Sequence, residues 1–155
     1  MDTIIAMLTP EETKVLRQSF SQYVQSGMTT DIVNKHFDLD VATMTIVQAS
    51  CLGQVVKFYE SNKFMGMMYF DVGHTWWTKD VIITERFILS VFGTHGVQRA
   101  ATKFLDELAT KYHARIISSG CFFLGNPMVV ANGYHKAGFV DNYPTFVKEV
   151  NNDSK

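Results

Sequence analysis

The chain has 155 residues, 14 Lys+Arg against 15 Asp+Glu for a formal charge of -1, and 46% apolar residues. A chain of about 150 residues can bury roughly 68–70% of its unfolded surface, which suits one self-supporting domain over 1–155. With 19% charged residues and no like-charge block, neither a disordered tail nor an electrostatic nucleic-acid binder is expected. No apolar run reaches the ~20 residues a membrane helix needs, and no basic segment opens the chain as in a secretory leader, so a cytoplasmic protein is expected.

Ile4-Ile5-Ala6-Met7-Leu8 reads as a short buried strand. Thr9-Pro10-Glu11-Glu12 then signals a helix start: a capping threonine, proline in the first turn and two acids at the positive dipole end. Val15, Leu16, Phe20 and Tyr23 recur at helical spacing until Gly27. Asp31–His36 suits a turn of helix, and Val41–Leu52 a second periodic helix closed by Gly53. Gln54–Glu60, Phe64–Val72 and Val81–Phe92 are β-rich and joined by turn compositions, which predicts an antiparallel meander. Gly96–Tyr112 is strongly amphipathic, with Val97, Ala101, Phe104, Leu105 and Leu108 on one face. A strand at Ala114–Ile117 completes a right-handed parallel βαβ unit. A helix from Asn126-Pro127 to Lys136 follows, then one or two terminal strands over Val140–Val150. The expected fold is α/β: a mixed sheet of six to seven strands with helices on both faces.

Cys51 and Cys121 make no disulfide framework and read as reduced, mostly buried thiols. The five histidines show no metal-binding spacing, so no metal is expected. The Met65-Met67-Met68 cluster reads as a strand packed on helices. Trp76 and Trp77, in the loop Gly73–Asp80, either anchor a partner or fold back as a lid on the core, the latter slightly favoured.

Three local features carry chemistry. Tyr134-His135-Lys136-Ala137-Gly138-Phe139 ends a helix with glycine in the closing position and an apolar anchor behind it. Glu85 interrupts the apolar strand Val81–Val91, where a carboxylate needs solvent, a partner such as Arg86 or Lys79, or a function. Val91-Phe92-Gly93-Thr94-His95-Gly96-Val97-Gln98-Arg99-Ala100 passes from strand to helix through two glycines.

In this order the three resemble the GNAT acyltransferase superfamily, whose members move an acyl group from acyl-coenzyme A to an amine. The resemblance implies that Tyr134, in a Y-x-K-x-G-F ending, protonates the departing thiolate. It implies that Glu85, six residues before Val91, acts as general base. Backbone of Leu89, Ser90 and Val91, with Ile117 to Ser119, would pair with the pantetheine arm, and an amide near Val91 would polarise the thioester. Gly93, Thr94, His95, Gly96, Val97, Gln98 and Arg99 stand for the family's Q/R-x-x-G-x-G/A phosphate loop. That loop is about three residues shorter here, with Gln98 replacing the second glycine. Asn126 stands for an asparagine that reaches the pantetheine, or is simply an N-cap before Pro127.

The activity so implied is acetyl-CoA-dependent N-acetylation of a small-molecule or protein amine. The alternative is a GNAT-like fold that binds or inhibits a protein partner without turnover; an acyl-CoA sensor lies between. Small divergent chains of this kind are frequent among bacteriophage proteins, and a homodimer is common in the superfamily.

Overall fold

The computed structural model describes residues 1–27, 35–120 and 127–141. Among them, five strands form one sheet in the order β1-β2-β3-β4-β5. The strands are β1 (Asp2–Ile5), β2 (Val55–Glu60), β3 (Lys63–Gly73), β4 (Ile82–Ser90) and β5 (Ile116–Ser119). The first four pair antiparallel, and β4 pairs with β5 in parallel. The helices are α1 (Pro10–Gln25), α2 (Leu39–Cys51), α3 (Val97–Lys111) and α4 (Pro127–Lys136). The α/β class, the meander and the βαβ crossover are therefore as expected, with five strands rather than six or seven. The expected terminal strands, after Val140, and most of the Asp31–His36 turn fall outside the described residues.

Helix starts follow local chemistry. Thr9 Oγ1 accepts from Glu12 N–H at 3.2 Å, and the Glu12 carboxylate accepts from Thr9 N–H at 2.8 Å, a reciprocal capping box. Asp38 caps α2 by accepting from Asp40 and Val41 N–H, both at 2.9 Å, so that helix starts two residues before its first periodic valine. In contrast, α3 opens on Gly96 at φ 86°, without a side-chain cap. Its first-turn amides therefore keep their hydrogen-bonding capacity.

The sheet is covered on both faces. Leu16 and Phe20 of α1, with Ile46 of α2, pack on Val55, Met67 and Leu89. On the other face, Val97, Ala101, Leu105 and Leu108 of α3 pack on Phe58, Met68 and Ile83. Fully burying each Val, Leu, Ile, Met or Phe among these contributes about 1.5–3 kcal/mol. Met67 and Met68, neighbours in sequence, are wholly buried on opposite faces, as a central strand requires.

Three expectations fail. β1 is an exposed edge strand along its whole length, not a buried one, because only β2 flanks it. Cys51 is exposed, since it falls on the outer side of the last turn of α2. Trp76 is 96% exposed and Trp77 more than half exposed, so the β3–β4 loop projects outward and is no lid.

Two glycine and bulge features shape β4. A Cβ on Gly66 would lie 2.3 Å from the Leu89 carbonyl oxygen, so only glycine lets β3 approach β4 there. Further along, Tyr69 pairs with Phe87 but Phe70 with Glu85, which leaves Arg86 as the extra residue of a β-bulge. That inserted residue switches the alternation: Ile83 and Ile88 join the α3 face, while Phe87 and Leu89 join the α1–α2 face.

Candidate functional site

Glu85 pairs across the sheet with Phe70, whose ring belongs to the α3 side, so the bulge aims the carboxylate at α3 and α4 rather than at α1. It is 1% exposed, so neither a solvated edge position nor pairing with Lys79 applies. Arg86 does not pair with it either: Arg86 Nε instead meets Asp71 at 2.5 Å, and Asp71 also accepts from Gln54 at 2.6 Å. Two hydroxyls serve Glu85. Ser119 Oγ, at the end of β5, donates to its Oε2 at 2.5 Å, and the Tyr134 hydroxyl, from α4, donates to the same oxygen. Burial pushes the carboxyl above the usual glutamate range, and the two donors only partly pull it back.

The position of Tyr134 follows from the helix ending that contains it. Gly138 adopts φ 88°, and Phe139 N–H returns to the Tyr134 carbonyl at 3.1 Å, a left-handed C-cap. The Phe139 ring then meets the Tyr134 ring edge-on at 5.2 Å. Tyr134 is buried between this ring and β4.

The β4–β5 ladder runs only from Ile82–Ile116 to Glu85–Ser119. β4 continues to Ser90, so past Glu85 no described residue of β5 pairs with it. Hydrogen bonding in an antiparallel pair alternates. Val91 N–H donates to the Met65 carbonyl at 2.8 Å, so Leu89 and Phe87 also turn toward β3, whereas Ser90 and Ile88 turn toward the side where β5 has left. The amide near Val91 expected to polarise a thioester is therefore not that of Val91 itself, which is already engaged. The Ser90 amide instead points away from β3.

Beyond Ser90 the chain is pinned before it loops. Ser19 Oγ accepts from Phe92 N–H at 3.2 Å, Tyr23 packs edge-on against the Phe92 ring at 5.3 Å, and Thr94 Oγ1 donates to the Met65 carbonyl at 3.1 Å. Thr94 N–H folds back to the Val91 carbonyl at 2.9 Å. No hydrogen bond among the described residues takes up the amides of Gly93, His95, Gly96, Val97, Gln98 or Arg99. Gly93 at φ 79° and Gly96 at φ 86° set these amides in a left-handed turn at a helix N-terminus, a geometry that receives anions. His95 and Arg99 are exposed beside them.

Gln98 does not fill the cradle. Its side-chain amide donates to the Val130 carbonyl of α4 at 2.8 Å. It also lies so close to Gly133 that a Cβ there would sit 2.6 Å from its oxygen. The departure from the glycine pattern thus becomes a tie between the loop helix and the helix bearing Tyr134. Asn126 lies outside the described residues.

Sequence reasoning did not find Ser119 as a partner of Glu85, nor Ser19 and Gln98 as supports. Ser19 was traceable, being a polar residue in phase with Leu16, Phe20 and Tyr23 on the buried face of α1. No helix among the described residues is long and apolar enough to cross a membrane.

No protein-family model matches the chain, and no curated protein sequence matches it. Solved structures do. A ribosomal-protein-alanine N-acetyltransferase from Brucella melitensis biovar Abortus superposes with a TM-score of 0.65 at 12% identity, covering 97% of this chain and 100% of that one. A GNAT-family acetyltransferase from Listeria monocytogenes gives 0.65 at 17% identity over 93% and 88%. An aminoglycoside acetyltransferase from an uncultured soil sample gives 0.58 at 12% identity over 97% and 100%. The chain has the fold of the GNAT acetyltransferases across nearly its full length.

Proposed function

We propose that this chain is an acetyl-CoA-dependent N-acyltransferase that moves an acetyl group to an amine by direct attack on the thioester. The observation that carries the reading is the meeting of Glu85 and Tyr134 at the point where β4 and β5 stop pairing. Past that point, β4 offers unpaired edge groups at Ile88 and Ser90, a strand-like mate for a pantetheine arm. At the far end, the amides of Gly93 and of His95 to Arg99, with the α3 N-terminus, suit a pyrophosphate. Edge, cradle and catalytic pair thus lie in the order that an extended thioester with a nucleotide tail requires.

Within this reading, Glu85 accepts a proton from the attacking amine. Its raised pKa brings the carboxylate closer to the working range of a general base. The Ser90 amide stabilises the oxyanion as it forms, and Tyr134 protonates the leaving sulfur. No Cys or Ser nucleophile is needed. The acceptor is an amine of a small molecule or of a protein. The test is ligand-dependent stability: acetyl-CoA at 100 times its Kd should add about 2.7 kcal/mol, an easily read thermal shift. Absence of any shift at millimolar acetyl-CoA sinks the proposal.

The outward indoles of Trp76 and Trp77 favour a second, separable role in holding a protein acceptor or partner. Under it, Trp76→Ala with Trp77→Ala abolishes partner capture in a pull-down while the acetyl-CoA shift is kept. Loss of both together refutes separability.

A further inference from the structure

Resting on the acetyl-transfer reading, we infer that Glu85 and Tyr134 act as one proton-return relay rather than as a separate base and acid. The carrying observation is how the carboxylate is shared. Ser119 and Tyr134 both donate to Oε2, and Oε1 has no partner among the described residues. One oxygen is thus tied to the acid, while the other keeps its lone pairs for an incoming amine.

The proton balance of the reaction closes through this pair. The nitrogen lone pair of a neutral amine forms the new C–N bond, and the carbonyl π pair moves onto oxygen. Collapse restores the C=O bond, and the C–S bond breaks with its electron pair leaving on sulfur. One proton must leave nitrogen and one must reach sulfur. Oε1 of Glu85 takes the first, and the Tyr134 O–H supplies the second. The tyrosinate then recovers a proton from the Glu85 carboxylic acid, once that group turns its protonated oxygen toward the phenolate. Carboxylate and phenol are both restored, with amide and thiol as products and no net exchange with solvent. An amine that arrives as its ammonium ion first sheds one further proton to solvent.

Among the described residues, Tyr134 is the titratable group that meets Glu85. α3 contributes Val97, Ala101 and Leu105 to that side of the sheet, β3 contributes Phe70, and the turn after α4 contributes Phe139. β5 brings the neutral Ser119 hydroxyl. None of these carries charge, so a base and an acid placed here are coupled to each other before either is coupled to bulk water.

The decisive experiment is a double-mutant cycle in kcat, measured on the full chain with acetyl-CoA and an amine that it acetylates. Glu85→Gln and Tyr134→Phe should each lower kcat about 100-fold or more. A relay is one unit, so the double variant should lose no more than the slower single variant. Losses that multiply, to about 10⁴-fold, overturn the relay and leave acetyl transfer standing. A wild-type chain that binds no acetyl-CoA overturns both.

A second measurement needs no turnover. The C=O stretch of protonated Glu85, assigned by infrared difference against Glu85→Gln, is titrated in the unliganded protein. Tyr134→Phe removes a donor that favours the carboxylate, so the midpoint should move to higher pH. Ser119→Ala, which removes the other donor on that oxygen, should move it the same way. A midpoint unmoved by Tyr134→Phe overturns the relay, because the phenol then does not sit on the carboxylate in solution.

Discussion

Glu12 and Glu85 are both buried, and each accepts a hydroxyl proton from a tyrosine, yet their surroundings drive them in opposite directions. Burial opposes ionisation at Glu12 too. There, hydrogen bonds from Thr9 N–H, the Tyr59 hydroxyl and Lys57 Nζ outweigh it, with the Lys57 charge adding to them, and the carboxyl falls below its ordinary range. Lys57 is correspondingly raised: burial alone would lower it, but its contacts with Glu12 prevail. The ammonium has a further acceptor in the Met7 carbonyl at 3.0 Å. Among the described residues Glu85 meets two hydroxyls and no cation, so burial prevails. The first carboxylate anchors the start of α1 to β2; the second is held in a state it readily gives up. A cation within reach separates a carboxylate held ionised from one whose burial favours the proton.

The largest expected effect comes from removing that cation. Lys57→Met leaves Glu12 buried with its charge uncompensated, which should cost about 3–5 kcal/mol, or on the order of 10 °C in Tm. Adding Glu12→Gln to Lys57→Met should recover part of this loss, because the stranded charge is then gone. Chemical denaturation reads both, and a loss below about 1 kcal/mol in the single variant would break the contrast. The pH dependence has a defined sign. Glu12 binds its proton more weakly in the folded state, so its contribution is full above the unfolded glutamate value and fades as pH falls through the depressed folded one. Lys57 is the reverse: its contribution is full below the unfolded lysine value and fades as pH rises through the raised folded one.

At Glu85 the same kind of substitution should stabilise. Its folded pKa is raised, so the folded state holds the proton more tightly, and stability falls as pH climbs from the unfolded value through the folded one. Glu85→Gln keeps the shape and an acceptor for Ser119 and Tyr134 without that penalty. It should match wild type below about pH 4 and exceed it at neutral pH, where wild type carries the buried charge, while losing transfer activity. Equal stability across the whole range would show that the site stores no such cost.

Much of this arrangement was legible along the chain, and the reason is locality. Thr9-Pro10-Glu11-Glu12, the stripe from Val97 to Leu108 and the turn at Gly138 are decided within a few residues, and all three elements form where the pattern puts them. The strongest features of the two carboxylates are not local. Lys57 is 45 residues from Glu12, and Tyr134 is 49 residues from Glu85. Glu12 reads in sequence only as a helix-start acid. The Glu85–Tyr134 pair was legible as two separate residues through the resemblance, not as a contact. The exposure of Ile4 and Ile5 was hidden because composition records a strand's apolarity but not its place at the sheet edge. The bulge at Arg86 leaves no compositional trace either, although it decides which way Glu85 faces.

The smallest effect tests how Glu85 keeps its tyrosine. Tyr134 follows Gly133, the residue against which the Gln98 amide lies on its way to the Val130 carbonyl. Gly133→Ala puts a methyl group where that amide stands, and the obstacle is the end of a flexible side chain rather than backbone. Gln98 should swing away and forfeit one hydrogen bond, a loss of about 1 kcal/mol that the better helix propensity of alanine largely offsets. Stability should therefore hardly change. In a Gln98→Ala background the obstacle is absent, so the same Gly133→Ala step should stabilise α4 by about 0.5–1 kcal/mol. A change of that size in both backgrounds would mean that Gln98 does not rest on Gly133 in solution, and that this contact takes no part in placing Tyr134 over Glu85.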